Sequence, residues 1–175
     1  MDPVKFGKDG KVKLPQPDEI TKKEKEDAMG AYLMMFASMA IGLPLPIINL
    51  LASFIYYLLN NKKSRFVAFH AHQSLVTQFF VSFLNAGLVS WAVVNIVKYF
   101  KYNKNFFNEY FVIVLLIVII WNIIYIVYSI IACVKAYKGK FFYMLFFGRI
   151  SFNKFYKKNF NIKEKKELNL PPSGF

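Results

Sequence analysis

Two histidines two residues apart, His70 and His72, are the side chains in this sequence best placed to do chemistry. They stand in the stretch 62–74, KKSRFVAFHAHQS, which is basic, then aromatic, then densely polar. An imidazole can ligate a metal, carry a proton or anchor a hydrogen-bond network, and spacing helps to decide among these. Residues two apart on a helix point about 200° away from each other, so this pair cannot close on one ion as an i, i+4 pair does. No cysteine or carboxylate lies beside them to complete a site, and no metal is expected. On a helix His70 shares a face with Ser74, and Phe66 shares one with Phe69 and Gln73. The expectation is therefore structural. Phe66, Phe69, His70, His72, Gln73 and Ser74 form a hinge at a membrane surface, where hydrogen bonds pin the start of the following helix. The chain carries no Gly-rich phosphate loop, nucleophile elbow or poised carboxylate pair, so neither an enzyme nor a bound cofactor is expected.

A second set of polar residues lies inside apolar runs. Asn49, Ser53, Tyr56 and Asn60 recur at helical spacing, as do Ser74, Gln78, Ser82 and Asn85 with Thr77 beside them, and Asn122, Tyr125 and Ser129. Each set is one helix face, and polar groups in lipid turn toward protein. The three stripes are expected to meet and hydrogen-bond inside a bundle. No Asp, Glu, Lys or Arg falls at the middle of any run, which argues against a proton relay or ion pump.

The runs themselves set the class. Of 175 residues 56% are hydrophobic and 19% aromatic, with a formal charge of +13, and the mean hydropathy is +0.33. Apolar residues gathered in blocks of this length mark an integral membrane protein. The basic excess sits beside those blocks, so anionic lipid rather than nucleic acid is the expected counter-charge. The first 29 residues carry seven lysines and seven acids and no early apolar stretch; no cleavable leader is expected there. Thr21 with Glu24 three residues on fits a capping box, with a helix starting at Lys22.

The run 31–59 would be about 43 Å long as one helix. It is broken by GLPLP at 42–46, where prolines remove donors and clash with the preceding turn. Folding it as a hairpin places 20 basic residues on one side of the bilayer against three on the other; a single span would split them 10 against 13. The positive-inside bias selects the hairpin, with both termini cytoplasmic in a bacterial inner membrane.

The predicted architecture is all-α, with four transmembrane or partly re-entrant helices in two hairpins (about 30–43, 47–60, 71–98 and 109–135). A disordered tail (1–29) precedes them, and an interfacial aromatic segment (141–152) and a basic tail (153–175) follow. Gly139 is expected to end the last long helix. Lys62, Lys63, Arg65, Arg149, Lys154, Lys157 and Lys158 are assigned to lipid headgroups.

The sequence SRFVAFHAHQSL (64–75), the proline-rich turn at 43–46 followed by Asn49, and the stretch 132–143 together resemble a bacterial family of small four-helix membrane proteins of unknown function. That family is similar to the Tic channel subunit of the chloroplast inner-envelope translocon and to the magnetosome membrane protein MamF. The resemblance covers roughly 28–151. The residues suggest a structural or interaction subunit of a helical membrane complex, working as a homo-oligomer or with other membrane proteins. The Tic resemblance implies the alternative, a channel or protein-translocation component.

Overall fold

The computed structural model describes residues 5–6, 12–37, 46–103 and 105–157. Among these the protein is all-α apart from a pair of two-residue antiparallel strands, β1 (Lys5–Phe6) and β2 (Val12–Lys13). Helix α1 (Lys22–Leu33) begins where the capping box predicts. The Thr21 hydroxyl accepts from the Glu24 amide at 3.3 Å, and the Glu24 carboxylate accepts from the Thr21 amide at 2.9 Å. A 3-10 turn, Met34–Phe36, extends it. Then come α2 (Pro46–Asn60), α3 (Arg65–Tyr102), α4 (Glu109–Tyr137) and α5 (Leu145–Phe152), closed by a π-turn over Asn153–Lys157.

Helices α3 and α4 are long and apolar enough to cross a membrane. Each has an 18-residue apolar window of which only 17% is buried, and side chains such as Phe83, Val93, Ile117 and Ile120 stand exposed. A surface this apolar is one that lipid solvates. At 38 residues α3 is about 57 Å long, far more than the ~30 Å of a hydrocarbon core. The excess has a use. Residues 66–74 are all buried in a packed domain, whereas the stretch 75–97 carries exposed apolar side chains.

Several sequence expectations change. Arg65, not residue 71, opens α3, because Ser64 caps it by accepting from the Val67 amide at 3.3 Å. The boundary at 29 falls inside a helix, and the expected tail buries Ile20 and Ala28 against the core. Residues 38–43 of the first expected helix lie outside the described residues, and α2 is 15 residues, about 22 Å, less than a hydrocarbon core. Residues 42–45 of the proline turn lie outside the described residues. Gly139 ends α4 as expected. It adopts φ +70° and donates to the Ala136 carbonyl at 2.9 Å, while Lys140 donates to that of Lys135 at 2.9 Å.

The segment 141–152 does not lie as one flat helix. It turns sharply at Met144 and Leu145, then runs back over the start of α3 as α5. Leu145 has φ 40°, a left-handed value that costs a side-chain-bearing residue about 1 kcal/mol. Leu145→Gly is accordingly expected to raise stability by about that amount, read as a higher thermal midpoint in detergent.

Candidate functional site

The FHAHQS motif lies within the first three turns of α3, enclosed by α1 on one side and the C-terminal segment on the other. His70, Gln73 and Phe69 are 0% exposed and Ser74 is 4% exposed. The motif is buried as well as hydrogen-bonded, because α1 and α5 supply cover that no local pattern reveals.

One hydrogen-bond chain runs through it. The Gln73 side-chain amide donates to the Tyr32 hydroxyl at 2.9 Å and to the Phe142 carbonyl at 3.0 Å, and its Oε1 accepts from the Met144 amide at 3.4 Å. With its oxygen accepting from Gln73, Tyr32 donates to Nδ1 of His70 at 2.8 Å. His70 therefore carries its proton on Nε2, a buried atom with no partner. Around the imidazole stand Phe66 and Phe69, edge to face at 4.5 and 5.0 Å, and Phe141, stacked at 5.9 Å. Ser74 donates to the Ala31 carbonyl at 2.7 Å, tying α1 to the same turn.

His72 faces the other way, as the two-residue spacing requires. Its Nδ1 donates to Ser151 Oγ at 2.9 Å, since Ser151 gives its own proton to the Phe147 carbonyl at 3.0 Å. Tyr57 and Phe155 hold the ring edge to face, both at 5.6 Å. The two imidazoles serve separate networks, and among the described residues no group of three or more His, Cys, Asp or Glu could hold a metal ion.

Burial keeps both histidines neutral. It pushes the pKa of His70 down to about 3, and burial followed by the Lys154 ammonium pushes that of His72 down to about 4. An unfolded histidine titrates near 6.5. The unfolded chain thus binds more protons as the pH falls below that value. Stability is complete above it and declines toward the folded pKa values, by at most about 1.4 kcal/mol per pH unit for each histidine. The expected result is a thermal midpoint that drops between pH 7 and pH 4.5, with a shallower slope in His70→Phe.

The cations assigned to headgroups divide. Lys63 pairs with Asp27 at 2.8 Å, Arg65 donates to the Phe155 carbonyl at 2.6 Å, and Lys154 donates to the Tyr57 hydroxyl at 3.1 Å. These three tie elements together; Lys62 and Arg149 are exposed. The Lys157 side chain and Lys158 lie outside the described residues. Glu24 adds one more link. Burial opposes its carboxylate, yet hydrogen bonds from Thr21 and from Ser64, the cap of α3, hold its pKa below the usual value.

Two of the three polar stripes meet. Tyr125 on α4 donates to Gln78 on α3, and Gln78 donates to Ser82 at 3.1 Å. Lower in the span Asn85 and Asn122 exchange hydrogen bonds at 3.0 and 2.8 Å. Thr77 bonds the Gln73 carbonyl on its own helix, and Ser129 is buried. In the α2 stripe, Tyr56 donates to the Asp27 carbonyl of α1 at 2.7 Å, Asn60 to the Tyr56 carbonyl of its own helix at 2.8 Å, Ser53 is buried and Asn49 half-buried. For the asparagine pair a double-mutant cycle of Asn85→Ala and Asn122→Ala is expected to give a coupling of about 1 kcal/mol in detergent unfolding.

Sequence reasoning missed Tyr32, Gly148 and Ser151. The faint signal was Gly148 and Ser151 three apart in an otherwise bulky apolar stretch, small residues on one face where another helix can approach.

A model of the magnetosome magnetite crystal formation protein family matches residues 24–151. The matched span opens in the capping box of α1 and closes at Ser151, the partner of His72. No curated protein and no solved structure matches the chain.

Proposed function

We propose a function from one premise: the chain belongs to the magnetosome magnetite crystal formation protein family. That membership accords with the MamF resemblance carried by the motif. The protein acts as a non-catalytic, multi-pass subunit of a magnetosome-type membrane, serving crystal formation by organising that membrane rather than by chemistry on iron. The observation that carries this reading is the sealing of its most reactive-looking residues. Both histidines are consumed in packing the domain, His70 on Tyr32 and His72 on Ser151, at the root of two lipid-facing helices.

The topology reading places α1 and α5 on the cytoplasmic side, since both pack at the same end of the α3–α4 hairpin. With the first apolar run folded as a hairpin, the sequence assigns 20 basic residues to that side against three. Lys62 and Arg149, with Lys135, Lys138 and Lys140, are exposed at that end and suit anionic headgroups. Helix α2, about 22 Å long, is re-entrant rather than fully spanning. Partners are further copies or other membrane proteins, not nucleic acid.

The channel alternative finds less support, because the polar side chains of α3 and α4 close on one another. The test is expression in a magnetosome-forming host. The tagged chain should stay with the magnetosome membrane after an alkaline carbonate wash, and its loss should alter crystal size. Extraction without detergent, or exclusion from magnetosomes, overturns the proposal. Conductance above background from purified protein in a planar bilayer would restore the channel.

A further inference from the structure

A cleft of about 820 Å³ opens at the far end of the α3–α4 hairpin, remote from the motif. Trp91 and Tyr110 stand in its wall, and the remaining lining is four asparagines and Lys98. Two of those amides are half used. Asn95 is 3% exposed and spends its nitrogen on the Phe106 carbonyl at 3.1 Å, leaving its carbonyl oxygen for the cleft it lines. Asn108 caps α4 by accepting from the Phe111 amide at 2.9 Å, leaving its NH2 group. Asn105 is exposed, and Lys98 has no carboxylate beside it in the lining.

This is a poor site for a metal cation and a good one for an anion that also carries hydroxyls. A single ammonium meets one negative charge, an amide NH2 adds a donor, and the unspent Asn95 oxygen asks for a donor in return. The cleft stands where two spans end, at the depth of lipid headgroups, and a tryptophan and a tyrosine suit that depth.

We propose that this cleft binds a hydroxylated phosphodiester, the headgroup chemistry of phosphatidylglycerol. The phosphate lies against Lys98 and the Asn108 amide, and a glycerol hydroxyl donates to Asn95. The assignment rests on the reading that the hairpin crosses the bilayer. A chain washed off by carbonate would end that reading, whereas a chain that stays in the membrane leaves this site open to its own test.

The test uses the full chain in phosphatidylcholine nanodiscs, with thermal midpoint and tryptophan fluorescence as readouts. Adding phosphatidylglycerol should raise the midpoint more than adding phosphatidylserine, which has equal charge but no headgroup hydroxyl. Lys98→Gln should weaken the phosphatidylglycerol response by roughly ten-fold in concentration, and Asn105→Ala by less. Gly87→Ala, outside the cleft lining, should leave it unchanged. If glycerol 3-phosphate added to phosphatidylcholine nanodiscs reproduces the shift, the site stands and its ligand is soluble; if only the lipid acts, the ligand is the lipid. Equal responses to the two anionic lipids, or a full response in Lys98→Gln, overturn the proposal.

Discussion

Gly148→Ala is expected to detach the C-terminal segment from the rest of the domain. A Cβ at this position would sit 2.6 Å from Cα and 2.7 Å from Cβ of Tyr143, and 2.8 Å from Oε1 of Gln73. The first contact is with backbone, which cannot swing aside as the end of a flexible side chain can. Either α5 lifts away from α3 or the turn at 143–145 rebuilds, and both undo the hydrogen bonds that Gln73 makes there. The expected cost is about 3 kcal/mol, at the upper end of what overpacking a core brings. The readout is a lower thermal midpoint in detergent together with new protease cleavage within residues 138–157. Gly87→Ala is the control. Nothing lies within 4 Å of a Cβ built there, so it should be neutral or gain a few tenths of a kcal/mol from helix propensity. Equal midpoints for Gly148→Ala and the unmodified chain would show that α5 does not pack as described.

Gln73→Leu carries the second large effect. Leucine fills most of the same volume, so the loss is polar rather than a cavity. The Phe142 carbonyl loses its donor at 3.0 Å, the Tyr32 oxygen loses the one at 2.9 Å, and the Met144 amide loses its acceptor. Each buried group left unpaired costs on the order of 1–3 kcal/mol, and the total expected is about 3 kcal/mol. Tyr32 keeps its bond to His70, so part of the network survives. A double-mutant cycle with Tyr32→Phe separates the two: the coupling should be near 1 kcal/mol if the hydroxyl truly accepts from Gln73. Additive costs in that cycle would mean that the two side chains act independently.

Both variants act on residues whose roles were unequally legible. Gln73 was marked by its sequence neighbours, a dense polar group opening an apolar helix, and hydrogen bonding was the expected role. What it bonds to was hidden, because Tyr32 is 41 residues before it and Phe142 is 69 residues after it. Gly148 carried almost no signal. A glycine in a short apolar stretch reads as a flaw in an interfacial helix until the facing backbone is known. The N-terminal segment misled in the opposite direction. Its balanced charges and prolines describe a solvated tail, yet Ile20 and Ala28 pack into the core. Two apolar side chains in a charged segment are too few for periodicity to outweigh composition.

What the sequence determined by itself was local or collective in origin. The capping box at Thr21 and Glu24, the stop at Gly139 and the all-α class with two long apolar helices follow from backbone chemistry within a few residues or from hydrophobicity summed over twenty. These terms do not depend on what the element meets. Tertiary structure alone decided that the histidine motif is buried, that the C-terminal segment folds back to cover it, and that Lys63, Arg65 and Lys154 bind the chain to itself. Each of those outcomes is a contact between residues about 36 to 97 positions apart. Such contacts form only when closing the loop buries more apolar surface, and satisfies more polar groups, than the lost chain entropy opposes.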